Sequence, residues 1–278
     1  MQVDLIELKT NRVVPFLKWA GGKRQLLAEL LKCLPPKFNV YHEPFLGGGA
    51  LFYALETRKL FKRAYISDLN SDLINAYTIV RDEVENLIAS LQRHIYDAEY
   101  YYNIRGENLV DPIERASRFI YLNKTCFNGL YRVNSSGLFN VPFGSYSNPA
   151  ICNEENLKSC ESSLRNATIK CQPFEMVLDV AKSGDLVYLD PPYFPISKTA
   201  NFSAYQKNGF GKSEHEKLKS VFVELDKRNC FVMLSNSSCE FTETLFAGYR
   251  LKKVLASRMV NSKSSGRGSI SEILVRNY

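Results

Sequence analysis

Short apolar runs alternating with amphipathic stretches place this 278-residue chain in the α/β class, with a mainly parallel sheet covered on both faces. Two further features agree. A Gly-rich turn follows one apolar run, and aspartates stand at the ends of two others, where open α/β sheets hold ligands. The length suits one large domain or a core with one inserted module.

In chain order, residues 23–34 read as an amphipathic helix ended by Pro35 and Pro36. Val40–Phe45 reads as a short strand entering Gly47, Gly48 and Gly49, with a helix starting near Ala50. Arg63–Ser67 is a second strand ending at Asp68. Ser71–Leu91 reads as one long helical stretch, with Leu73, Ile74, Tyr77, Val84, Leu87, Ile88 and Leu91 as its apolar positions. Residues 72–157 then change character, becoming rich in Tyr, Asn and Arg, with a helix near Pro112–Leu122. The turn residues Asn134-Ser-Ser-Gly137 between short apolar flanks suggest a hairpin. This stretch reads as a module inserted into a core made of residues 1–71 and 158–278. Later strands are expected at Leu186–Leu189, Cys230–Leu234 and Ile270–Val275.

Composition excludes several classes. Hydrophobic residues at 45% and charged residues at 23% fit a globular chain without low-complexity tracts. No apolar run approaches a membrane span, and the acidic start does not resemble a signal peptide, so a cytoplasmic location is expected. The seven cysteines are odd in number and form no CxxC pair, and the three histidines lack metal-ligand spacing; neither disulfides nor a metal is expected. The net charge of +7 is moderate, but from Arg250 onward seven basic residues face one acid, Glu272. Such a tail is either a solvated face or, around residues 261–269, a loop for phosphates.

The sharpest local pattern is Asp190-Pro-Pro-Tyr193 directly after Leu186–Leu189. A carboxylate at a strand tip can accept the hydrogens of an aromatic amine, whose delocalised lone pair makes it a poor nucleophile without such help. The prolines stiffen the turn and leave a carbonyl free, and Tyr193 offers a flat face for stacking on a base. A plain strand followed by a Pro-Pro turn is the competing reading. In Glu43-Pro-Phe-Leu-Gly-Gly-Gly-Ala50 the glycines let the backbone approach a ligand, but the spacing is that of neither a dinucleotide fingerprint nor a P-loop. Asp68 could accept two ribose hydroxyls, or simply cap a helix. Trp19, the only tryptophan, stands beside Gly21, Gly22 and Lys23; an aromatic face and a cation suit a ligand with an adenine ring and a carboxylate, although a core Trp is the plainer alternative.

Taken together, Phe16-Leu-Lys-Trp-Ala-Gly-Gly-Lys23, Glu43 to Gly49, Ile66-Ser-Asp-Leu-Asn70 and Asp190 to Tyr193 resemble, in this order, Dam-like adenine methyltransferases of the α group (D12 class), closest to the DpnM type. The likeness extends through Asn128 to Asn134, Phe139 to Gly144, Val232 to Ser237 and Arg267 to Glu272, from about Phe16 to Tyr278; residues 1–14 are longer than in Dam itself. It implies a Rossmann-like, S-adenosyl-L-methionine-dependent methyltransferase core with an inserted, mostly helical target-recognition domain carrying a β-hairpin. Trp19, Lys23, Phe45, Gly47, Asp68 and Asp190 would then contact the cofactor, with Asp190, Pro191 and Tyr193 catalytic. Double-stranded DNA containing GATC would be the partner. Arg132 would read a guanine, as a guanidinium can through O6 and N7. Leu130 and Pro142 would touch neighbouring bases, Phe127 would enter the stack, and Lys18 would contact the outer guanine. Asn128, Asn134 and Arg267 fall in the matched stretches as further DNA-binding positions. A cognate restriction endonuclease and a solitary regulatory role both stay open, and a monomer suffices.

Cytosine-N4 methylation uses related chemistry on the same fold, and the hairpin likeness favours adenine over it. Cytosine-C5 methylation needs a cysteine nucleophile, usually after proline, and no Pro-Cys dipeptide occurs. An RNA or protein methyltransferase is disfavoured by the hairpin. A catalytically dead DNA-binding module is disfavoured by the intact Asp190 to Tyr193 and Gly47 to Gly49.

Overall fold

The computed structural model describes residues 13–19, 21, 23, 25–195, 210–257 and 269–278. Five strands run parallel: β1 (Tyr41–Glu43), β2 (Ala64–Asp68), β3 (Ala167–Cys171), β4 (Leu186–Leu189) and β5 (Phe231–Ser237). Two more, β6 (Arg250–Ser257) and β7 (Ser269–Arg276), pair antiparallel, and β7 also lies antiparallel to β5. Among the described residues the order is β3-β2-β1-β4-β5-β7-β6. The first five strands thus follow the doubly wound, Rossmann-like pattern, whose direction reverses between β1 and β4 and opens a crevice at their carboxyl ends.

Burial explains why the central strands form. All four residues of β4 are buried, and they alternate between two cores. Leu186 and Tyr188 join the core beneath helices α1 (Leu27–Lys32), α2 (Ala50–Thr57), α3 (Ser71–Asp82), α4 (Val84–Leu91), α6 (Pro112–Thr125) and α7 (Glu154–Leu164). Val187 and Leu189 join the opposite core, with Leu218, Val221, Phe222 and Leu225 of α8 (Lys212–Lys227) and Phe246 after α9 (Glu240–Leu245). The run of apolar residues in β4 is therefore what a strand covered on both faces requires.

Several expectations change in detail. The single helix over residues 71–91 is two, because Glu83 leaves helical geometry (φ −138°, ψ 35°). The break lets Val84, Leu87, Ile88 and Leu91 turn inward while α4 packs on α6 and α7. The first helix is shorter than 23–34. Its start is a turn closed by Leu26 N–H to Lys23 O, and it ends in tight bonds from Cys33 and Leu34 to Leu30 and Leu31 before the prolines. Strands β3 and β6 escaped the sequence reading. Most of β3 is exposed or half-buried and carries Thr168 and Lys170. The basic stretch from Arg250 is not a free tail either: Lys252 pairs with Glu29 at 2.7 Å and Lys253 with Glu243 at 2.9 Å. Residues 261–268 and Arg267 lie outside the described residues.

Helices α3 to α7, including α5 (Ala98–Gly106), and an irregular hairpin fill the chain between β2 and β3. The hairpin has no continuous ladder. It is closed by bridges at Cys126–Phe143 and Val133–Phe139 and by Asn140 N–H to Arg132 O at 3.0 Å. Tyrosines fasten it to the helices: Tyr101 donates to Val141 O at 2.8 Å, Tyr96 to Gly144 O at 2.6 Å and Tyr146 to Cys126 O at 2.9 Å. Tyr101 is buried and Tyr96 and Tyr146 half-buried, so each packs an aromatic body against the insertion while its hydroxyl bonds a hairpin carbonyl. Among the described residues no helix is long and apolar enough to cross a membrane.

The amino end of β4 is fixed by Asp185, which accepts Lys182 N–H at 2.9 Å and Val40 N–H at 3.2 Å and bonds His42 Nε2 at 2.9 Å. Burial alone would raise its pKa, but His42 and these N–H groups outweigh it and hold the carboxyl below its usual value. Asp185→Ala is expected to cost about 2–4 kcal/mol at neutral pH by stranding buried partners. The depressed pKa confines this contribution to pH above the usual aspartate range of about 4, with loss as pH falls through the folded value. Urea unfolding across pH checks it; an unchanged midpoint at pH 7 would dismiss the anchor.

Candidate active site

The crevice at the β1–β4 switch is a cleft of about 720 Å³. Its floor is the turn from β1 into α2, Pro44 to Gly49. Gly47 (φ +49°) and Gly49 (φ +64°) hold left-handed backbone there, and a Cβ on Gly47 would come within 2.8 Å of Trp19 Cδ1. The indole thus lies directly against the turn. At the tip of β2, Asp68 accepts Gly47 N–H and Asn70 N–H, both at 3.0 Å. Burial raises its pKa against the pull of those N–H groups. The helix cap considered for Asp68 falls instead to Asn70, which accepts Asp72 N–H and Leu73 N–H, both at 3.1 Å.

Asp190 stands one residue past β4. Its side chain is 18% exposed and lies 2.8 Å from the Lys23 ammonium, itself 7% exposed. Lys23 Nζ also donates to Gly21 O at 2.8 Å and sits 4.5 Å from the centre of the Tyr193 ring. Burial pushes the Asp190 carboxyl up to about 6, with Lys23 pulling the other way. Nearby Glu43 is pushed up to about 8 by burial despite the Tyr41 hydroxyl that donates to it at 2.9 Å, so it is protonated at neutral pH. Beyond the two prolines, Tyr193 donates to Glu272 Oε2 at 2.6 Å, and Phe194 N–H bonds Asn236 Oδ1 at 3.1 Å. Ser237 Oγ donates to Phe194 O at 2.7 Å, so the loop after Asp190 is pinned from β5 and β7.

At one end of the cleft, Phe45 stacks on Phe174 at 5.0 Å and meets Phe210 edge-on at 5.8 Å. At the other, Trp19 stacks on Tyr131 at 5.5 Å. Trp19, Lys23, Phe45, Gly47, Asp68, Asp190, Pro191 and Tyr193, all singled out from the sequence, line this one cavity. Phe174, Phe210, Tyr131, Glu43 and Glu272 were not given roles. Phe174 stands three residues past β3, at the same carboxyl end of the sheet as Asp190, so that strand is the signal that leads to it. Among the described residues no cluster of three or more metal-ligating side chains occurs.

The positions assigned to DNA gather elsewhere, on the hairpin and the strap before Trp19. Tyr131, Val133 and Gly137 show that the hairpin also borders the cleft. Phe127 is 48% exposed, and Asn128, Arg132 and Pro142 are exposed beside half-buried Leu130. The Arg132 guanidinium is held along one edge by Asn140, through Nε to Oδ1 at 2.7 Å and Nη2 to the backbone O at 3.2 Å. Asn134 turns its side-chain oxygen to Ser136 N–H and Leu138 N–H, both at 3.0 Å, and so shapes the hairpin tip. Exposed Lys18 lies over the Tyr146 ring at 4.1 Å, and its backbone N–H and C=O are both bonded to the Asn123 amide, at 2.8 and 2.6 Å.

Comparison with known proteins matches residues 19–260 to the D12 class N6 adenine-specific DNA methyltransferases, a span that takes in strands β1 to β6, the cleft and the inserted helices. The chain is similar to the type II methyltransferase M1.LlaDCHI of Lactococcus lactis subsp. cremoris, at 42% identity over 99% of each chain. It is likewise similar to the type II methyltransferase M.MjaIII of Methanocaldococcus jannaschii, at 42% identity over 96% of this chain and 99% of the other. A DNA adenine methylase of Serratia marcescens is 36% identical over 96% of this chain and 98% of its own. With a carboxylate and an aromatic face at the strand tip, and relatives matched nearly end to end, the chain belongs to the D12 class of N6 adenine-specific DNA methyltransferases.

Proposed function

We propose that this enzyme methylates the adenine of GATC in double-stranded DNA, using S-adenosyl-L-methionine, after the base has left the helix. The observation that carries this reading is the Asp190 carboxylate opening into the cleft beside Tyr193. The cleft suits such a cofactor: the glycines of the β1–α2 turn let Trp19 lie flush against the cleft wall, and three chemically distinct partners surround the space. Asp68 would take the ribose hydroxyls, Lys23 the carboxylate, and Phe45 with Phe174 and Phe210 an adenine ring. Trp19 and Gly47 complete the wall. Bound there, the cofactor supplies a methyl group on a sulfonium sulfur.

The chain's own residues do the rest. Asp190 and the Pro191 carbonyl accept hydrogen bonds from the two N–H groups of the target amine. This lets its nitrogen take the methyl group and then give up one proton to the Asp190 carboxylate, keeping the other. Tyr193 stacks on the base and offsets part of the few kcal/mol that flipping costs. No covalent intermediate on the protein is needed; position and electrostatics suffice. Residues 72–157 serve as the module that reads DNA, with Arg132 on a guanine, Leu130 and Pro142 on adjoining bases, Phe127 in the stack and Lys18 on the outer guanine. All these residues come from one chain, so a monomer can act.

Asp190→Ala is expected to lower kcat by at least about a hundredfold while cofactor binding survives in part. Radiolabel transfer to unmethylated DNA measures it, and near-normal turnover would defeat the assignment. Arg132→Ala should lose about 1–3 kcal/mol of discrimination at one guanine. Methylation rates on single-substitution site variants check this, and unchanged discrimination would remove Arg132 from the reading role. Because the Asp190 pKa lies at about 6, the ionised acceptor is lost as pH falls through that value, and kcat/KM should fall with it. Lys23→Met removes the cation that lowers this pKa, so the acid limb should move upward. A limb that stays fixed in the variant would mean that another group titrates.

A further inference from the structure

Glu272 ends the Arg267–Glu272 stretch that resembles the family, and methyl transfer by Asp190, Pro191 and Tyr193 does not use it. It sits on β7, opposite Ser237 of β5. Its carboxylate accepts the Tyr193 hydroxyl at 2.6 Å, the short range of a charge-assisted bond. Around the same loop, Asn236 and Ser237 hold both backbone groups of Phe194. The backbone is thus pinned from β5, but the far end of the Tyr193 ring is not. A backbone clamp alone still leaves the side chain free to pivot about χ1, which sweeps the long axis of the ring. The hydroxyl bond to Glu272 anchors the far end of that axis; rotation about χ2, on whose axis the hydroxyl oxygen lies, is limited instead by what packs on the ring faces. Lys23 lies over the same ring at 4.5 Å and pairs with Asp190, so the place of the ring is tied to the group that accepts the amine.

We infer that Glu272 is a positioning residue for methyl transfer, acting through the Tyr193 hydroxyl to hold the long axis of the ring in the place where a stacked base presents its amine to Asp190. This rests on the reading that Tyr193 stacks on the target base. Loss of the bond should lower the transfer rate rather than the affinity for the cofactor, because base presentation matters only once DNA is bound.

The test is single-turnover methylation of an unmethylated duplex at saturating enzyme and cofactor, with cofactor dissociation constants and melting temperatures measured alongside. Glu272→Ala and Tyr193→Phe should each slow transfer by about tenfold with cofactor affinity within about twofold of the parent. Their combination should be no slower than either alone, since both remove one bond. Glu272→Gln, which keeps an acceptor but not the charge, should recover part of the loss. Multiplicative effects in the double variant, or a Glu272→Ala rate matching the parent, overturn the inference. Should Glu272→Ala fail to fold, Tyr193→Phe and Glu272→Gln still decide: parental rates in both reject it. Tyr193→Ala separates the two levels. Normal transfer there sinks the stacking reading together with this inference, whereas a slow Tyr193→Ala beside a normal Glu272→Ala sinks the inference alone.

Discussion

A carboxylate that accepts hydrogens from an amine must carry charge, yet the strand tip that aims Asp190 into the cleft also removes it from water. Burial favours its neutral form, and Lys23, 2.8 Å away, is the cation that opposes this. The surroundings respect the same balance. Glu43 also feels Asp190, and were it ionised it would push Asp190 further from the charged state; its own burial keeps it protonated instead. Trp19 against the glycine turn and Asp68 beneath it shape the cleft without adding a free charge next to Asp190. The helices that cover both faces of the sheet keep this tip rigid.

Much of this arrangement could be read from the amino acids, for physical reasons particular to each place. Strands β1, β2 and β4 announce themselves because they are buried and because chemistry-bearing residues stand at their ends. Strand β3 does not, since Thr168 and Lys170 on a half-exposed border strand look like loop, and with it Phe174 was lost. Strand β6 was hidden by its lysines, whose partners Glu29 and Glu243 lie far away in sequence or on another element. The break at Glu83 carries no glycine or proline to signal it; only packing of α4 against α6 and α7 demands it. The tie from Tyr193 to Glu272 joins residues 79 apart, which no local pattern reveals.

The inserted region shows a different economy. Its hairpin has scattered cross-strand backbone bonds in place of a continuous ladder, and the phenolic hydroxyls of Tyr96, Tyr101 and Tyr146 reinforce them. His94 serves the same scaffold, bonded to Tyr100 at 2.8 Å and Ser117 at 3.0 Å, and burial pushes its pKa down to about 4, so the imidazole stays neutral there. The richness in tyrosine that set residues 72–157 apart in composition is therefore structural in origin. It leaves the outer edge of the hairpin free to carry Phe127, Arg132 and Pro142.

The grip of Asn123 on Lys18 has an evolutionary consequence. Its amide also donates to Gly129 O at 3.2 Å, while a Cβ on Gly129 would strike Lys18 at 2.6 Å. One short strap thus reaches the hairpin through residue 18 and the cleft wall through residues 19 and 23. A chimera that grafts a foreign hairpin onto this core would inherit a mismatched strap, so new specificities in such proteins should arise by joint exchange of both segments rather than by shuffling the insertion alone.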